Sequence, residues 1–239
     1  MGMRHLPFLL IFLVSFGLAP GALAQLTSGI SGPDVTEGAR AIGYRAAYDP
    51  DADGFAQRVH VDQALTGALM LRGVVQVRRT DDRPMDFDFV QGELRWQVTP
   101  DNAKWGSGLR LDARLRDSGR PGQVSVHWLN QIRLSDTLRT RFAVIASQQT
   151  GAGRETGTFL QTRGEFSRRI DGGIDIGGEF YNSYGTASDL LPVSKQSHLA
   201  GPFAALPLTD SLTLRTSALF GLTAGSPDAT FRVFLTQAY

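Results

Sequence analysis

The chain has 239 residues, with 24 basic and 23 acidic side chains, 27 glycines and no cysteine. Only Lys104 and Lys195 are lysine, so 22 of the 24 basic residues are arginine. The missing cysteines exclude a disulfide scaffold, a cysteine-ligated zinc site and a thiol nucleophile. A formal charge of +1 lacks the basic excess of a nucleic-acid binder, so no nucleic-acid partner is expected.

The first segment reads as an address. Arg4 and His5 form a positive start, Leu6 to Leu18 is apolar, and Ala22-Leu23-Ala24 supplies the small residues of a cleavage site before Gln25. The apolar run is short of the roughly 20 residues that a membrane-crossing helix needs. The expected organisation is a cleaved signal peptide over 1–24, an N-terminal periplasmic or lumenal segment over 25–35, and one β-barrel over 36–239.

Beyond Gln25 no segment is apolar for the length of a membrane helix, and the dominant period is two. Leu109, Leu111, Ala113 and Leu115 interleave with Arg110, Asp112, Arg114 and Arg116. Val124, Val126 and Trp128 interleave with Ser125 and His127, and Leu138, Phe142 and Val144 with Arg139 and Arg141. Successive strand side chains point to opposite faces, so each segment has one apolar and one polar face. Read this way, the chain contains about twelve strands, near 36–48, 54–64, 67–79, 86–98, 105–116, 122–134, 138–149, 157–168, 172–184, 196–206, 211–222 and 229–239. Glycine, proline and aspartate clusters separate them.

A secreted β-sandwich also alternates. The strand lengths here reach the roughly 9–11 residues of a tilted membrane strand, and their even number suits a bacterial outer-membrane barrel. The fold class expected is therefore all-β, a transmembrane antiparallel barrel in the cell outer membrane, with outer-membrane lipid and lipopolysaccharide as its surroundings. Phe231, Val233, Leu235 and Tyr239 share one face of the last strand. That ending resembles the C-terminal strand read by the barrel-assembly machinery, with Gln237 departing from it. Trp96, Trp105, Trp128, Tyr44, Tyr48, Tyr184 and Tyr239 are expected in aromatic girdles at the membrane interfaces.

With the N-terminus on the periplasmic side, three periplasmic turns look alike: Ala64-Leu65-Thr66-Gly67-Ala68-Leu69, Leu134-Ser135-Asp136-Thr137-Leu138 and Leu208-Thr209-Asp210-Ser211-Leu212. Each leads into a strand carrying Arg72, Arg139 or Arg215, which suits either a repeated hairpin unit or convergent turn chemistry. The outward loops are short. The stretch Leu26 to Val35 is the main candidate for a plug.

The polar faces carry twelve arginines, Arg58, Arg72, Arg78, Arg95, Arg110, Arg114, Arg116, Arg133, Arg139, Arg141, Arg163 and Arg215, against six acids, Asp62, Glu93, Asp112, Glu165, Asp175 and Glu179. A guanidinium stays charged and presents a planar fork of donors to an anion. Arg72, Arg95, Arg110, Arg114, Arg139, Arg141 and Arg215 are accordingly the candidate lumen-lining, anion-binding residues of a passive channel or binding barrel. The alternative is a closed structural barrel whose lumen is filled by salt bridges.

A second alternative is a lipid-modifying hydrolase. Ser125, His127 and Asp112 make a conceivable nucleophile, base and orienter. They face inward, however, and no longer catalytic motif accompanies them, so no enzyme, cofactor or metal is expected. Asp49, Asp51, Asp53 and Gly54 match the opening of a calcium loop, but His60 stands where its bidentate glutamate belongs.

The segments Ser31 to Gly38, Glu93 to Gln97 and Pro227 to Thr236 resemble those of a group of uncharacterised proteobacterial outer-membrane β-barrel proteins. That resemblance implies the barrel and no reaction. In architecture the chain is also similar to small twelve-stranded porins for acidic oligosaccharides, which implies an arginine-lined lumen and transfers no residue.

Overall fold

The computed structural model describes residues 27–80, 83–101, 103–117 and 119–239. The expected signal peptide and its cleavage site lie outside these residues. The strands are β1 (Arg40–Asp49), β2 (Gly54–Ala64), β3 (Leu69–Arg79), β4 (Asp86–Gln97), β5 (Trp105–Arg116), β6 (Gly122–Arg133) and β7 (Leu138–Thr150). They continue with β8 (Phe159–Arg169), β9 (Asp175–Thr186), the two-residue β10 (Asp189–Leu190), β11 (Ser197–Pro207), β12 (Leu212–Gly221) and β13 (Ala229–Ala238). Setting β10 aside, twelve strands remain, from 10 residues in β1 to 13 in β7.

All neighbours are antiparallel, and the ring closes. Ala41 pairs with Ala238 and Tyr48 with Phe231 across the β1–β13 seam, while β8 pairs with β9 on the opposite side. β10 is a flap on the tip of β9, with Asp189 opposite Thr186. Closure gives each of the twelve described strands a partner on both sides, the condition for surviving in lipid.

The alternation decides which way each side chain turns. Ile42, Val61, Leu71, Leu111, Val126, Phe220 and Phe231 are exposed on the outer wall, whereas Arg58, His60, Asp62, Arg72, Glu93, Arg110 and Asp112 are buried inside. The polarity is thus inverted relative to a soluble domain, and a continuous exposed apolar belt of this kind marks a membrane-facing surface. Trp96, Trp105 and Tyr239 are exposed near one end of the barrel and Tyr48 near the other, as girdles require. Trp128 instead lies within β6, where its indole N–H donates to Ser107 Oγ at 2.9 Å. Tyr44 likewise lies within β1 and donates to Gln57 Oε1 at 3.1 Å. These two rings satisfy polar groups on the outer wall, which lipid cannot do.

One end carries tight turns, the other longer loops. At the turn end the three look-alike sequences fold identically. The backbone N–H groups of Leu65, Leu134 and Leu208 donate to the carbonyls of Leu69, Leu138 and Leu212 at 2.8, 2.9 and 2.8 Å. The hydroxyls of Thr66, Ser135 and Thr209 each accept two further backbone N–H groups, at distances between 3.0 and 3.3 Å. A short hydroxyl side chain replaces the backbone partner that a four-residue turn would otherwise lack.

The interior is not uniformly polar, which the alternation alone did not indicate. Leu129, Ala143 and Ile145 form one buried cluster, and Tyr181, Leu199 and Leu219 another, with Ile30 packed against the second. A barrel this narrow must fill its own centre. Charged and apolar groups share it: the second cluster lies on β9, β11 and β12, of which β9 also carries Glu179 and β12 Arg215, and Ile30 from the segment before β1 packs against it.

Candidate functional site

Two carboxylates organise the charged interior. Glu93 on β4 is 2% exposed and accepts from Arg58 Nη2 at 2.8 Å and Gln91 Nε2 at 2.7 Å. Arg72 and Arg110 approach its other oxygen at 3.6 and 3.5 Å. Arg72 also chelates Asp62 through Nε and Nη2 at 2.5 and 2.6 Å, and Arg110 donates to Asp112 at 2.9 Å. Bidentate pairing of this kind fixes both partners. Cross-strand register explains the grouping, because Asp62, Arg72 and Glu93 stand side by side on β2, β3 and β4, and Asp112 follows on β5.

The second centre is Glu179 on β9. It accepts from Arg215 Nη2 at 2.6 Å and from Arg232 Nη2. Arg215 also reaches Glu165 at 2.9 Å, and Arg141 approaches the same carboxylate at 3.3 Å. Arg215 lies over the Phe203 ring at 3.6 Å and Arg232 over Tyr181 at 4.6 Å. Arg139 pairs with Asp175 at 3.3 Å nearer the turn end.

Five of the seven candidate arginines, Arg72, Arg110, Arg139, Arg141 and Arg215, thus have acidic partners. Arg95 and Arg114 have none among the described residues, and neither do Arg45 and Arg163. Arg114 donates to Gln91 at 2.8 Å and stacks on Phe89 at 4.0 Å, while the Nε of Arg95 and of Arg163 is buried without a partner. Arg114, Arg163, Gln91, Gln123, Ser125 and Gln161, with Arg110 and Asp112, line an interior cavity that holds about 20 Å³ of free space. That is room for about one water molecule.

Sequence reading missed Arg45 and Arg232 as interior residues. Their nearest inward neighbours include small or apolar residues, Ala47 beside Arg45 and Phe234 beside Arg232. The inward parity of each strand was nonetheless available as a signal. Asp88, buried and approached by Arg78 at 3.5 Å and Arg120 at 3.0 Å, was missed for another reason: it lies at the register shift of β3 and β4, where Asp88 and Phe89 are both buried and the parity breaks.

The segment 27–35 lies inside the barrel. Thr27, Ser28 and Val35 are buried. Arg45 Nη1 donates to the Thr27 carbonyl at 3.2 Å, and Arg232 Nη1 to the Ser28 carbonyl at 2.9 Å. The Thr27 hydroxyl donates to Gln76 Oε1 and the Val35 N–H to Gln97 Oε1, both at 2.5 Å. Asp34 Oδ2 accepts from Gln131 Nε2 at 2.6 Å and Arg133 Nη2 at 2.8 Å. Fully extended, nine residues span roughly 30 Å, comparable to the ~25 Å apolar band of such barrels.

His127 and Asp112 do meet, with Nε2 2.9 Å from Oδ2, but the other contact of the ring is to Arg110 at 3.0 Å. Ser125 makes no hydrogen bond to His127 among the described residues. Proximity of nucleophile and base is the first requirement of that chemistry, and the histidine belongs instead to the ion-pair network. At the loop end, Asp49 accepts from the Asp51 N–H at 3.1 Å, Asp51 from the Asp228 N–H at 2.5 Å, and Asp53 pairs with Arg79 at 2.9 Å. The carboxylates tie the loop together and do not converge.

A closed twelve-stranded antiparallel wall, apolar outside and charged within, is the fold of outer-membrane β-barrel porins. No family model and no curated protein matches the chain. Among solved structures it is similar to the KdgM porin (12% identity, covering 83% of this chain and 99% of that one, TM-score 0.61). It is similar to the NanC porin (10% identity, 82% and 98%, TM-score 0.64). A third likeness is to the COG4313 outer membrane channel from Pseudomonas putida F1 (10% identity, 89% and 100%, TM-score 0.64).

Proposed function

We propose that this barrel resides in the outer membrane and passes or binds small anionic solutes through its arginine-rich interior, without catalysing a reaction. One observation carries the reading. Arg45, Arg95, Arg114 and Arg163 are interior guanidinium groups that form no ion pair among the described residues, beside six or more arginines that do. A buried charge without a counter-charge is expensive, so what the interior lacks is negative charge. The likeness to the KdgM porin, solved in complex with disordered oligogalacturonate, points the same way (10% identity, TM-score 0.63). In this reading the turn end faces the periplasm, the apolar belt meets lipid and lipopolysaccharide at its edges, and the terminal strand ending in Tyr239 is the segment handed to the barrel-assembly machinery.

Single-channel recording in planar bilayers tests it. Anion-selective steps, with the reversal potential shifted toward non-selectivity by Arg114→Ala or Arg95→Ala, support it, and silence at every voltage refutes it. The second reading, a closed structural barrel, is favoured by the Glu93 and Glu179 networks. It predicts that silence.

A further inference from the structure

The segment 27–35 supplies oxygen acceptors to three arginines, Arg45, Arg133 and Arg232. We propose that Asp34 occupies a carboxylate-binding site at the turn-end mouth, and that a solute carboxylate takes this site and releases the segment from the lumen.

The donors around Asp34 are held by contacts other than Asp34. Gln131 and Arg133 sit at alternate positions of β6, so both side chains face inward at the mouth. Arg141 Nε donates to Gln131 Oε1 at 2.6 Å, which fixes the Gln131 amide with its N–H₂ toward Asp34. The Ala103 carbonyl accepts from Arg133 Nη1 at 2.7 Å and orients the guanidinium, so Nη2 reaches the same oxygen of Asp34. Two donors held from behind and converging on one carboxylate oxygen make a pre-organised anion site. Glycines admit the segment: a Cβ at Gly32 would lie 2.9 Å from Arg141 Nε, and one at Gly106 would lie 3.2 Å from Pro33 Cγ.

The site is also reachable. The side chains of Asp34 and Arg133 are each 36% exposed, whereas Thr27, Ser28 and Val35 are buried. Deeper in, the segment offers only neutral groups to charged ones: the carbonyls of Thr27 and Ser28 accept from Arg45 and Arg232. Along its length it therefore presents a carboxylate and carbonyl oxygens to guanidinium groups. An incoming carboxylate matches Asp34 as an acceptor and exceeds the neutral carbonyls of Thr27 and Ser28. Asp34 is the only ion pair that anchors the segment among the described residues, so its loss to a competitor removes the charged anchor and leaves neutral hydrogen bonds.

The inference rests on the channel reading, and the test separates the two. The full chain is reconstituted in planar bilayers, and the fraction of time spent conducting is recorded in sodium chloride and in sodium acetate at equal ionic strength. Acetate carries the functional group of Asp34 itself. A tethered carboxylate competes at an effective concentration on the order of millimolar or above, so acetate is raised to several hundred millimolar. The expected result is a several-fold rise in conducting time with acetate. Asp34→Asn is expected to raise conducting time about tenfold in chloride, as for loss of one charge-assisted contact, and to abolish the acetate response.

A second variant, Pro33→Cys with Gly106→Cys, ties the segment to β5 in a chain that otherwise has no cysteine. Oxidised, it is expected to stay closed in acetate, and reduction is expected to restore the response. If Asp34→Asn behaves as the parent, or the oxidised pair conducts freely while anion selectivity persists, the gate is refuted and the channel stands. If none of the proteins conducts under any condition, both fall.

Discussion

Glu93→Gln removes the carboxylate on which three arginines converge. The structure says how much each of them loses. Arg72 keeps its bidentate contact to Asp62 at 2.5 and 2.6 Å, and Arg110 keeps Asp112 at 2.9 Å. Their distances to Glu93, 3.6 and 3.5 Å, are already beyond a good hydrogen bond. Arg58 is different, because Glu93 at 2.8 Å is its one acidic partner among the described residues, and the two side chains are only 5% and 2% exposed. The substitution therefore strands one buried guanidinium, not three. Removing one member of a buried pair costs about 3–5 kcal/mol, and the amide that remains still accepts one hydrogen bond, which places the loss near the lower bound. The assay is urea unfolding of the barrel in lipid vesicles, followed by the heat-dependent shift of the folded band on gels. Arg58→Met combined with Glu93→Gln removes both charges and is expected to recover much of the loss. A loss below about 1 kcal/mol for Glu93→Gln alone would falsify the view that Glu93 holds this wall together, since exposed pairs already reach that value.

An exposed pair supplies the contrast. Asp53→Asn, which breaks the half-exposed Arg79–Asp53 pair at the loop end, is expected to change stability by under about 1 kcal/mol in the same titration. Thr66→Val, Ser135→Ala and Thr209→Val each remove a hydroxyl that accepts two backbone N–H groups, and should each cost about 0.5–1.5 kcal/mol. Unequal losses outside that range would mean that the shared turn geometry is not what the hydroxyls stabilise. Gly43→Ala places a Cβ 2.0 Å from the buried His60 ring and is expected to destabilise by about 1–3 kcal/mol, measured by the same unfolding curve. Ser125→Ala and His127→Ala are expected to leave lipid A and phospholipid profiles unchanged on overexpression; a profile that depends on either residue would restore the hydrolase reading.

Much of the fold was readable because a strand in a barrel wall carries its environment in its own alternation. The strand expected at 122–134 is β6 at Gly122–Arg133, and the one expected at 54–64 is β2 at Gly54–Ala64. The strand expected from 172 begins at Asp175, because Gly172 and Gly173 adopt positive φ of 74° in a short turn before it. Glycine reaches that region without strain, so the turn extends further than the apolar pattern suggests. The candidate arginines were also readable one by one as inward positions, since parity fixes the face. Which of them are paired was not. Arg215 meets Glu165 and Glu179 from β12, across to β8 and β9, and no local spacing links those residues.

By itself the sequence determined the period, the number of crossing strands, the turn chemistry and the excess of arginine over lysine, because all of these act within a few residues of chain. Only the tertiary structure decided that the ring closes between β1 and β13, that five of the seven candidate arginines are neutralised, and that residues 27–35 fill the space between the walls. Those outcomes depend on which strands the closure brings face to face across the interior. A side chain's partner there is set by barrel width and register, two quantities that no single strand encodes.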